Sequence, residues 1–107
     1  MTSSEIQNAV SAVLPKIVAQ ADPLKVFLFG SAVRRNPGVV HDLDFLVVVP
    51  DRARPATVVD RLNVGVRGKP MPCDFLVATP SILARHRHRR GSVYATALAE
   101  GRQVYAR

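Results

Sequence analysis

Residues 24–49 read LKVFLFGSAVRRNPGVVHDLDFLVVV. Two short apolar runs rich in β-branched and aromatic residues frame this stretch, and both predict strands. The first, Leu24 to Phe29, stops at Gly30-Ser31. The second, Asp42 to Val49, is nearly all apolar after its two acids, the pattern of a strand buried on both faces. Between them, Ala32 to Arg35 allows one helical turn before Asn36-Pro37-Gly38 breaks it.

Beyond Val49, Pro50-Asp51 marks a turn, and Pro55 to Val64 predicts a helix with proline in its first turn. Gly65 and Gly68-Lys69-Pro70 break it, and Met71 to Ala78 predicts a third strand. Pro80 to Arg89 and Ser92 to Glu100 read as helices parted by Gly91 and closed by Gly101. Arg102 to Arg107 is a short strand or a tail. On the other side of the quoted stretch, Ile6, Val10, Val13, Leu14, Ile17 and Val18 recur at helical spacing, which predicts a helix from Ser4 to Gln20. Thr2, Ser3 or Ser4 is its cap, Glu5 lies near its positive end, and Pro15 should kink or split it. The order predicts an α/β (α+β) fold with one sheet against helices.

The chain has 107 residues, a length that predicts one domain, residues 1–107. A single cysteine, Cys73, excludes an intrachain disulfide and a multi-cysteine zinc site. The longest uncharged stretches are about half the roughly 20 residues a membrane span needs. The start, Met1 to Glu5, lacks a signal core. A reducing, cytoplasmic setting without membrane contact is therefore expected. Fifteen basic residues face eight acidic ones, for a net charge of +7. This favours a polyanionic ligand or an acidic partner, although an arginine-rich genome would yield the same excess.

Three features carry chemistry. Gly30-Ser31, where a strand meets a helical turn, offers outward N–H groups and a hydroxyl to an anion, or is simply a turn. Asp42 and Asp44, at i and i+2, project from one face of a strand. They either share a divalent cation that offsets their repulsion or merely begin a strand at a solvated loop. Asp74, inside the third apolar run, needs a partner. If its strand lies beside the second, three carboxylates converge, as two-metal phosphoryl chemistry requires; otherwise Asp74 pairs with an arginine. Cys73 faces away from Asp74 and is expected in the core. Tyr94 and Tyr105 are expected in packing or interfaces. Arg85-His86-Arg87-His88-Arg89-Arg90 is a solvated helix end, an acidic-partner surface or an RNA patch.

Gly30-Ser31 followed by Asp42-Leu43-Asp44, with Leu28-Phe29 before, Arg34 three residues after the serine and Asp74 as a third strand acid, resembles the minimal nucleotidyltransferases of the polymerase-β-like superfamily. The ending from Gly91 to Tyr105 is similar too. Arg35 and His41 depart from the usual pattern without touching the acids. The resemblance implies a small nucleotidyltransferase fold with one mixed sheet. It implies Asp42, Asp44 and Asp74 as catalytic residues and ligands of two Mg²⁺ ions, with Gly30, Ser31 and Arg34 holding the triphosphate of ATP. Chains of this length resemble the antitoxins that transfer AMP to a tyrosine of a HEPN ribonuclease toxin, the expected partner. The alternatives are transfer to RNA ends or a small molecule, a catalytically silent binding subunit, or a basic nucleic-acid module. A second copy of the chain is a further partner left open.

Overall fold

The first helix begins where its cap says it should. In the computed structural model, which describes residues 2–34, 40, 42–66 and 71–107, Thr2 and Glu5 form a reciprocal capping box at the start of α1, Ser3–Ala21. Ile6, Ala9, Val10, Val13 and Ile17 line one face and are buried. Each large one contributes about 1.5–3 kcal/mol by leaving water. The helix runs unbroken through Pro15, against the expected kink or split. Pro15 and Ser11, whose carbonyl loses its partner, are both exposed, where that group is open to solvation, while Val13 and Ile17 hold the buried side in place.

Among the described residues four strands follow: β1, Lys25–Phe29; β2, Leu43–Val48; β3, Cys73–Ala78; and β4, Arg102–Ala106. The helices α2, Pro55–Gly65, α3, Pro80–His86, and α4, Val93–Glu100, complete the set with a 3₁₀ turn at Gly30–Val33. The sheet order is β3-β2-β1-β4, with β1 antiparallel to β2 and β4, and β2 parallel to β3. The last segment is thus a strand, not a tail. The expected α3 is shorter, ending at His86 rather than Arg89. Continuing it would stack Arg85 and Arg89 as like charges one turn apart. The expectations on Arg35, Asn36-Pro37-Gly38, His41 and Gly68-Lys69-Pro70 lie outside the described residues.

The two faces of the sheet differ. Leu43, Phe45 and Val47 point into the main core beneath α1 and α2, where Phe45 stacks on Phe75 with centroids 6.0 Å apart. Leu46, Val48 and Ala78 point the other way, into a smaller cluster under α3 and α4. Because strand side chains alternate, Asp44 and Asp74 belong to this second face.

Candidate active site

β2 begins at Leu43, so Asp42 immediately precedes the strand and Asp44 is its second residue. The parallel register places Asp44 directly across from Asp74. The antiparallel register places Asp44 across from Phe29, the last residue of β1, so the turn at Gly30 lies against it. Three segments meet at one end of the sheet. Asp42, Asp44 and Asp74 each bring a carboxylate oxygen to within 4.8 Å of the others. Asp42 and Asp44 are half-buried, and Asp74 is exposed at the mouth.

Gly30 adopts φ 75°, a left-handed conformation that only glycine takes without strain. It also lies so close to Asp44 that a Cβ would run into the Asp44 carboxylate. The 3₁₀ turn then carries Ser31, half-buried, and the Arg34 N–H donates to the Ser31 carbonyl at 3.4 Å.

The electrostatics show crowded negative charge. Burial pushes the Asp44 carboxyl up to about 6; the charges of Asp42 and Asp74 add to this, and Arg34 acts in the opposite sense. Hydrogen bonding with Asp42 holds Asp74 above the usual carboxylate range, followed by burial and the Asp42 charge. Three crowded hard oxygen donors suit a divalent cation, which would offset their repulsion. The donor set therefore fits a hard divalent cation, with Asp42, Asp44 and Asp74 as the residues able to hold it.

The structure thus gathers the three acids, Gly30 and Arg34 at one end of the sheet. Cys73 faces the main core as expected, its thiol pushed up to about 11 by burial and then by the three nearby carboxylates. Tyr94 packs against His86 with ring centroids 5.2 Å apart, and Tyr105 packs against the main core. One neighbour escaped the sequence reading. Glu100, at the end of α4, lines a hollow of about 290 Å³ with Gly30, Val33 and Arg34. No spacing signal links it to residues about seventy positions earlier, and only the docking of α4 brings it there.

Solved structures of toxin–antitoxin proteins are similar to the chain. One, a crystal structure of a toxin–antitoxin with AMP-PNP, shares 16% identity at a TM-score of 0.47, covering 100% of this chain and 75% of that one. Another, of the toxin–antitoxin MntA–HepT, shares 15% identity at a TM-score of 0.41, covering 98% and 70%. No curated protein matches the sequence. A family model described as the nucleotidyltransferase domain matches residues 12–97. That span runs from α1 into α4 and contains Gly30, Asp42, Asp44 and Asp74, so the chain belongs to the nucleotidyltransferase domain family.

Proposed function

We propose that the protein is a Mg²⁺-dependent antitoxin that transfers AMP from ATP to a tyrosine hydroxyl of a cognate HEPN ribonuclease toxin. The observation that carries the transferase part is the convergence of Asp42, Asp44 and Asp74 within 4.8 Å beside Gly30. The resemblance of its motifs and length to minimal nucleotidyltransferase antitoxins supports the acceptor. The net charge of +7 fits both a triphosphate and an acidic partner.

In this reaction the acceptor oxygen attacks the α-phosphorus, the bond to the α–β bridging oxygen breaks, and pyrophosphate leaves. Gly30, lacking a Cβ, lets phosphate oxygens approach the backbone, and Ser31 adds a hydroxyl donor. Arg34 neutralises charge on the triphosphate. Asp74, the exposed member of the three, faces the acceptor and takes the hydroxyl proton. Bound Mg²⁺ would supply neutralisation of the polyphosphate and acidification of the attacking hydroxyl.

The test is transfer of label from α-³²P-ATP with Mg²⁺, comparing wild type with Asp44→Ala, in the presence of the neighbouring gene's product or of bulk tRNA. Label on the protein, lost in the variant, is the expected result. Label on tRNA would replace the tyrosine acceptor with an RNA end. No label together with no Mg²⁺-dependent ATP binding would overturn the transferase reading.

A further inference from the structure

The sheet face that carries Asp44 and Asp74 is only partly covered. On the opposite face Leu43, Phe45 and Val47 are fully buried. On this face α3 and α4, of 7 and 8 residues, leave Leu24, Phe27, Leu83 and Leu98 half-exposed. These four and Val48 floor a groove of about 310 Å³. Lys25 and Arg87 stand exposed on its rim. Among the described residues the one ion pair joins Arg107 to Asp22, so neither rim cation is neutralised. Arg85, Arg89 and Arg90 extend the positive charge along the end of α3.

The groove is in register with the carboxylates. Val48 lies across from Lys25 and Asp44 across from Phe29 on the same pair of strands. Four strand positions separate them, about 13 Å, and Asp44, Leu46 and Val48 share one face. A partner seated on a patch of roughly 800 Å² centred on the groove would also reach the carboxylates.

We propose that this groove docks the protein that carries the acceptor, through a segment that inserts apolar side chains between α3 and α4 and sets acidic residues against Lys25 and Arg87. The inference rests on the transferase reading above. It names where the acceptor is held apart from where it reacts. The floor chooses the partner class. It is aliphatic except for Phe27, and nucleic-acid platforms instead offer rows of stacking aromatics. A second copy of the chain is disfavoured, because a two-fold contact through this face would set Lys25 and Arg87 against their own equivalents.

The experiment is NMR titration of the ¹⁵N-labelled chain with three probes. These are an amphipathic peptide with leucines at i, i+4 and i+7 flanked by glutamates, its lysine-flanked counterpart, and a single-stranded RNA decamer. The acidic peptide alone should shift Leu24, Leu83 and Leu98. The doubly reversed variant Lys25→Glu, Arg87→Glu should bind it about tenfold more weakly, with Mg²⁺-ATP binding unchanged. Shifts at the groove from the basic peptide or the RNA would overturn the proposal. So would concentration-dependent shifts there in the free chain, or no response to the acidic peptide at about 1 mM. With the neighbouring gene's product as acceptor, the same variant should raise KM for that protein about tenfold and leave kcat at saturation unchanged. If wild type labels nothing and shows no Mg²⁺-dependent ATP binding, the transferase reading falls while the peptide titration still decides the groove.

Discussion

The carboxylate of Asp44 occupies the space that a Cβ on Gly30 would need. Gly30 also holds φ 75°. Gly30→Ala therefore meets two obstacles: a left-handed backbone worth roughly 1–2 kcal/mol and a collision with the Asp44 carboxylate. The displaced carboxylate should lower nucleotide transfer by about 100-fold, since misplacements near 1 Å have that effect. Single-turnover kinetics and urea unfolding measure the two effects separately. A variant that transfers at the wild-type rate would remove Gly30 from the site.

Asp44 makes the cation-free protein less stable as pH rises. Its carboxyl is raised from 3.8 to about 6, mainly by burial and then by Asp42 and Asp74. Below 3.8 the group is protonated in both states and no penalty arises. Between 3.8 and about 6 the unfolded chain releases the proton while the folded protein keeps it, so stability falls through this window. Asp44→Asn should flatten that fall, raise Tm near pH 7.5 without divalent cations, and abolish transfer. Mg²⁺ should raise the Tm of wild type more than that of the variant. Scanning calorimetry from pH 4 to 8, with and without Mg²⁺, checks both; an unchanged slope in Asp44→Asn would contradict the assignment.

Asp51 ties the loop after β2 to α3, the wall of the groove. Its carboxylate accepts the Ser81 N–H at 3.1 Å and the Ser81 hydroxyl at 2.8 Å. The backbone bond from Ser81 is the main cause that lowers its pKa, so this support is present above the usual carboxylate range and lost as pH falls. Asp51→Ala should speed amide exchange in α3 and leave β2 and β3 protected. Exchange spread evenly over the sheet would mean that Asp51 supports the whole fold rather than one helix.

Cys73 should react slowly. With its thiol raised to about 11, the thiolate is scarce at pH 8. Alkylation by iodoacetamide should be at least about tenfold slower than for a free cysteine. Asp44→Asn, which removes one repelling charge, should speed it. Mass spectrometry of timed samples reads the rate, and reaction as fast as free cysteine would place the thiol in solvent rather than toward the core.

The candidate site was readable in the chain wherever its parts are local. Asp42 and Asp44 fall at i and i+2 ahead of an apolar run, and Gly30-Ser31 ends another. The Asp74 argument depended on strand adjacency, which no window of residues contains. Pro15 misled because the residue signals a break, whereas its solvent-facing position lets α1 continue. The end of α3 was overrun because apolar spacing says little where arginines crowd one turn.

Residue order alone thus set three strands within Leu24–Phe29, Asp42–Val49 and Met71–Ala78, a cap among Thr2, Ser3 and Ser4, and the shared face of the two acids. These follow from side-chain shape and a repeat of two or 3.6 residues, which act within a few positions. The assembled sheet decided the rest. Parallel hydrogen bonding sets Asp44 opposite Asp74, thirty residues away, and the return of the chain through α4 places β4 beside β1 and Glu100 beside Arg34. Register between distant segments comes from matching whole ladders and buried faces, a property of the packed molecule rather than of any one stretch.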